Sequence, residues 1–418
     1  MKSPTCPTPR PSPCPASALA LLAALLLSAC GTPYHPPVNM QADTRFPGLA
    51  DLLANANGKP VDVLLVHGIC SHDASWAPRV ATQLGQAMGA ASAEPAPPPP
   101  PAEDGRVQVI PTTLDTRYGK LRVDALIWSP LTRRIKSQLC YDHSEASAEC
   151  AGQPTVGLTR ARLNARGKDT LVDDCLPDAI IYEGAAREQM QLAMRDAIVQ
   201  VLAARQKENA ERMGNMAAQV PLVVISHSMG SKLLFDTLLR MTNEDGASPP
   251  ARLARQAVDR LRYLVMAANQ IPLLAMADQP LMAGKELRAP AESQDSLQQL
   301  LALRRVRTGA GAGTSAGAGA GAGAGTGAGK ASAGNVRAAT SPLVLVGFTD
   351  PNDLLSYTLP PQRYDGAGVV VFNILVSNAP TWLGLLERPD LAHLDYLGNP
   401  DVDRLIVCGQ PASARCDK

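Results

Sequence analysis

The chain has 418 residues, 45% of them hydrophobic and 18% charged, which is ample apolar material for one large α/β core of enzyme size. A formal net charge of +1 provides no long-range attraction to nucleic acid or to an anionic surface. No Gly-x-Gly-x-x-Gly follows an apolar run and no Cys-x-x-Cys is present, so neither a nucleotide site nor a zinc site is expected, and the chemistry reads as free of cofactor and metal.

In chain order, Lys2 and Arg10 precede an uncharged stretch rich in Ala and Leu, residues 16–29, which is too short to span a bilayer as a stable helix. Residues 1–30 therefore read as a signal peptide. It ends in Leu27-Ser28-Ala29-Cys30-Gly31, which resembles the bacterial lipobox. That resemblance implies a lipid on Cys30 and residence in the bacterial cell envelope. Gly31 after the cysteine points to the outer membrane, facing periplasm or exterior.

Residues 31–58 read as a tether with a short helix at 46–55, and residues 59–418 as one domain. Strands are predicted at 61–66, 107–110, 121–128, 223–225, 262–267, 343–348 and 369–376. Helices are predicted at 184–206, after the run at 223, and at 293–307; Met190, Met194, Ile198 and Leu202 share one face of the first. Strands alternating with helices indicate an α/β fold with a mostly parallel central sheet. Residues 131–181 are polar, hold Cys140, Cys150 and Cys175, and separate a strand from the helix at 184–206. Residues 94–101 read as a proline-rich loop, and the Gly/Ala-rich segment 308–340 as a disordered insertion that cannot fill a core. Beyond the signal the cysteines are Cys70, Cys140, Cys150, Cys175, Cys408 and Cys416, an even number suited to disulfides in an exported chain. Cys408–Cys416 is the first pair expected, and any free thiol is expected at Cys70.

Two apolar runs end in residues with chemistry. Val223-Val224-Ile225 leads into Ser226-His227-Ser228-Met229-Gly230, a Ser-x-Ser-x-Gly turn followed by a helix-like stretch. That is how a nucleophile elbow reads: a buried strand, a strained turn with a serine at its tip, and a helix whose N-terminus faces the reacting atom. Val61 to Val66 leads into His67-Gly68-Ile69-Cys70, where a flexible glycine lets the next amide turn inward. Downstream, the run at 343–348 ends in Thr349-Asp350-Pro351-Asn352-Asp353, and the run at 369–376 leads toward Ala392-His393-Leu394. His67 and His227 read as structural neighbours of these turns, and His35, His72 and His143 as solvated.

Serine, then acid, then histidine, each after a strand, is the chain order of the α/β-hydrolase triad. Over residues 60–130, 183–275 and 342–409 the chain resembles the α/β-hydrolase-superfamily serine esterases and lipases, with Ser226 where that family usually has glycine. The resemblance implies Ser228 as nucleophile, His393 as general base, and Asp350 or Asp353 as the orienting acid, Asp350 being favoured because it sits three residues past Gly347. It also implies the Ile69 and Met229 amides as the oxyanion hole and residues 131–181 as a lid over the site. The expected activity is a membrane-anchored serine carboxylic-ester hydrolase acting on small-molecule or lipid esters, with neither nucleic acid nor metal involved. The alternatives are an acyltransferase or amidase using the same triad, and a non-catalytic envelope lipoprotein scaffold. Acyl preference and oligomeric state are not specified by these residues.

Overall fold

The apolar runs do form the strands of one sheet, and their alternation decides which side chains face which layer. In a computed structural model, residues 35–41, 44–90, 103–144, 150–154, 156–214, 220–279, 294–304, 342–364, 368–382 and 385–416 are described. The expected signal peptide with Cys30, the start of the tether, the proline-rich loop and the Gly/Ala-rich insertion lie outside these residues.

The main sheet has eight strands: β1 (Val38–Asn39), β2 (Val61–Val66), β3 (Gln108–Thr116), β4 (Gly119–Ile127), β5 (Leu222–His227), β6 (Leu261–Ala267), β7 (Leu343–Thr349) and β8 (Val369–Leu375). Their order is β1-β8-β7-β6-β5-β2-β4-β3. From β8 to β4 every pairing is parallel, while β1 and β3 close the two edges antiparallel. The strand expected at 107–110 is longer and forms a hairpin with β4, in register from Gln108↔Ile127 to Thr116↔Gly119. Pro111 is tolerated there because β3 pairs on one side only.

Period-2 alternation divides the sheet residues between two cores. Leu64, Val66, Val224, Leu264, Met266 and Leu345 join the core beneath α3 (Leu176–Glu183), α4 (Arg187–Met213), α5 (Met229–Thr242), α6 (Pro249–Arg260) and α7 (Ser296–Leu303). Val63, Leu65, Val223, Ile225, Val265, Val346 and Phe348 join the other, beneath α1 (Leu49–Asn55), α2 (Trp76–Ala87) and α9 (Pro400–Cys408). Both faces are covered, as a parallel sheet requires. The expected helix at 184–206 begins and ends later, and its apolar face is the one anticipated, with Met190, Met194, Ile198 and Leu202 buried. Helix 293–307 is shorter than expected, starting at Ser296 behind an Asp295 capping box.

On one side of β2 the chain goes to the edge strand β3 and returns through β4, and on the other it runs outward from β5 to β8. The reversal lies between β2 and β5, and in open α/β sheets the crevice at the carboxyl ends of such strands is where ligands bind. His67-Gly68-Ile69-Cys70 leaves β2 at that edge, and Ser228 leaves β5.

Candidate functional site

Ser228 stands between β5 and α5 with φ 55° and ψ −135°, a backbone conformation that few non-glycine residues adopt. The turn is tight enough to exclude larger neighbours. A Cβ on Gly230 would lie 2.1 Å from the His67 carbonyl oxygen, and one on Gly68 would lie 2.6 Å from Ser228 Cβ and 2.3 Å from His227 Nδ1. The β2 turn and the elbow therefore lie against each other. Ser226 fits where a glycine was expected because its hydroxyl is fully used: Oγ donates to the Val265 carbonyl at 3.2 Å and accepts from Ser231 Oγ at 2.9 Å.

His393 sits in α8 (Pro389–Leu394) and reaches the serine, with Nε2 3.0 Å from Ser228 Oγ. Its Nδ1 lies 2.9 and 3.0 Å from the two carboxylate oxygens of Asp353. A carboxylate accepts only, so Nδ1 carries the proton and Nε2 is left to accept from the serine hydroxyl. Tyr396 Oη donates to Asp353 Oδ2 at 3.0 Å and accepts from the Asp350 amide at 2.7 Å.

The preference for Asp350 is thus corrected: the chain turns once more after β7, and it is Asp353 that faces the imidazole. Asp350 holds the loop instead, its carboxylate accepting from the Asn352 amide at 2.9 Å and the Asn378 amide at 2.6 Å. Beside it lies Glu387, whose carboxyl accepts from the Ala379 amide and the Asn352 side chain. Burial and the adjoining Asp350 charge push Glu387 up to about 7.

Ile69 follows the pressed Gly68, and Met229 is the first residue of α5 directly after Ser228; both are buried. The turn that carries Ile69 is held from several directions. His67 stacks on Trp128, accepts the Trp128 amide at Nε2 (2.9 Å) and directs Nδ1 to the Gly68 carbonyl (2.8 Å). Burial and the nearby His72 keep its pKa well below the ordinary histidine value, so it is a neutral strut.

From the other side, residues of the expected lid grip the turn. The Cys70 amide donates to Asp178 Oδ2 at 2.8 Å, Ser71 donates twice to Asp174, and Lys136 bridges both carboxylates. Cys70 is also disulfide-bonded to Cys175, which corrects the expectation of a free thiol there. The other disulfides are Cys140–Cys150 and the expected Cys408–Cys416. Sequence reasoning missed Asp174, Asp178 and Lys136, because nothing in their spacing ties them to a turn far earlier in the chain. His143 is buried rather than solvated, against Cys150 Sγ at 3.3 Å and Asp173 at 3.7 Å. Cys140, His143 and Cys150 come together as metal donors would, but the two sulfurs are bonded to each other.

His227 does not act on Ser228; its Nε2–H donates to the His393 carbonyl at 2.8 Å, fixing that helix. Burial and the neighbouring His393 lower its pKa well below the ordinary value. Gln270 lies with its side-chain nitrogen 3.4 Å from His393 Nε2, and Asn269 braces the acid loop through Tyr357. Ser228 and His393 are 0% and 1% exposed, and the helical segment Gly167–Cys175 contacts the helix that carries His393. The arrangement can pass the serine proton to His393 while Asp353 fixes the ring. Comparison with family models, with curated proteins and with solved structures finds no match for this chain.

Proposed function

We propose that the chain is a serine hydrolase of the α/β-hydrolase fold that cleaves carboxylic esters, lipid esters among them, from a lipid-anchored position in the cell envelope. The observation that carries this reading is the unbroken line from Ser228 Oγ through His393 to Asp353, 3.0 Å and then 2.9 Å, at the crevice between β2 and β5. A serine hydroxyl is a weak nucleophile at neutral pH, so His393 takes its proton as it attacks and returns it to the leaving alcohol. Asp353 keeps the ring in the one tautomer that can accept and stabilises the imidazolium that forms. In this reading the Ile69 and Met229 amides receive the oxyanion, each such donor being worth roughly 3–4 kcal/mol. An acyl-serine forms as the alcohol leaves, and water attacks it with His393 again as base.

Membrane attachment rests on the lipobox-like end at Cys30; no described helix is long and apolar enough to cross a membrane. Turnover of short p-nitrophenyl esters tests the proposal. Wild-type protein is expected to hydrolyse them and Ser228→Ala to lose at least 10³-fold in kcat. An active Ser228→Ala protein would refute the assignment.

A further inference from the structure

The described N-terminal strand lies against the site although more than three hundred residues separate them in the chain. His35, the first described residue, donates its amide to Ser377 Oγ at 3.0 Å. Ser377 follows β8, at the same carboxyl edge of the sheet as Ser228, and β1 runs antiparallel to β8 with Val38 opposite Leu375. Its neighbour Asn378 donates its amide to Asp350 and its side chain to the Ala392 carbonyl, one residue before His393. The N-terminal strand thus enters the molecule on the structures that hold the acid loop and the histidine helix.

Cys30 lies five residues before His35, and five residues reach at most about 18 Å when fully extended. A domain of this length has a radius of gyration of about 21 Å. A tether that short keeps the edge bearing His35 near the bilayer and cannot lower the opposite edge onto it. That same edge displays large apolar side chains to solvent: Leu354 and Tyr357 on the loop after Asp353, Leu385 and Leu386 before the histidine helix, and Val38 on β1. Leu354 and Leu385 are 76% and 78% exposed. Single exposed apolar residues are ordinary, but these come from separate segments that converge on the edge the tether approaches.

We infer that the carboxyl edge of the sheet is held against the bilayer that anchors Cys30, with these side chains in its interface. The ester hydrolysed is then an acyl ester presented by that phospholipid bilayer rather than one diffusing in from solution. The inference rests on the proposed esterase reading for its substrate and on lipidation of Cys30 for its geometry.

Full-length lipidated protein in phosphatidylcholine vesicles tests it in two ways. In Ser228→Ala protein, hydrogen exchange at residues 350–357 and 385–391 should slow on vesicles relative to the unanchored Cys30→Ser/Ser228→Ala chain. Separately, Leu354→Gln/Leu385→Gln/Leu386→Gln should cut hydrolysis of a vesicle-borne long-chain ester at least tenfold while soluble p-nitrophenyl acetate is turned over within twofold of wild type. Unchanged exchange at those segments, an equal loss on both esters, or a Cys30 that carries no lipid would overturn the inference. Slowed exchange in a protein inert on every ester would uphold the orientation and remove the esterase reading.

Discussion

Asp350 and Asp353 share one loop, yet their surroundings give them different work. Asp353 touches the histidine, whereas Asp350 is occupied by backbone amides of its own loop and of Asn378. Asp353→Asn leaves the shape but admits the wrong tautomer, so kcat should fall by on the order of 10⁴, with a much smaller loss for Asp350→Asn. Steady-state kinetics of the two variants decides it, and the reverse ranking would refute the assignment. Glu387 makes a separate prediction in stability. Its folded-state pKa is raised to about 7 by burial and by Asp350, so above the ordinary carboxyl range the folded state keeps a proton that the unfolded chain releases. Stability should decline as pH rises from about 4.5 to about 7, and Glu387→Gln should remove that part of the decline. Parallel Tm-versus-pH curves for wild type and variant would contradict it. The pair of acids was legible in the sequence, but the choice between them was not. It depends on a turn, closed by the Asp353 amide on the Asp350 carbonyl, that no pattern in five residues announces.

At the scale of elements, the central strands and the helices at Arg187–Met213 and Met229–Thr242 were legible, because those strands are apolar runs and the helix faces repeat on their own period, whereas β1 and the helices at Trp76–Ala87, Pro249–Arg260 and Pro400–Cys408 were not picked out. What stayed hidden was the grip of the lid segment on the β2 turn, since it depends on side chains far apart in the chain. The Cys70–Cys175 disulfide joins residues 105 apart. In a chain-entropy view, a loop of that size makes the bond worth about 2–5 kcal/mol. Because Cys70 follows Ile69, losing the bond should also loosen the oxyanion turn. Cys70→Ser/Cys175→Ser is expected to lower the urea midpoint accordingly and to reduce kcat on the order of tenfold, less than the 10²–10³ expected for a missing donor. Wild-type kcat in the double variant would show that Asp178 and Lys136 hold the turn unaided.

Across the whole molecule, a buried ion cluster and the Ser228–His393–Asp353 group sit at opposite ends of the sheet. Asp62 opens β2 and is buried between Arg122 of β4 and Arg260 at the end of α6, with Arg122 also bonded to Asn209 at 2.7 Å. Removing one partner of such a cluster leaves buried charge uncompensated, so Asp62→Ala should cost about 3–5 kcal/mol by denaturant unfolding. The folded fraction should keep its kcat, because the reacting groups lie at the carboxyl edge; a loss of kcat at full folding would show that the ends are coupled. The central claim is that Ser228 is the nucleophile, and covalent labelling addresses it most directly. Full-length protein treated with a fluorophosphonate and digested should yield one adduct, on the peptide's Ser228, and none in His393→Ala or Ser228→Ala protein. An adduct on Ser226 or Ser231, or no adduct on folded wild-type protein, would contradict the account.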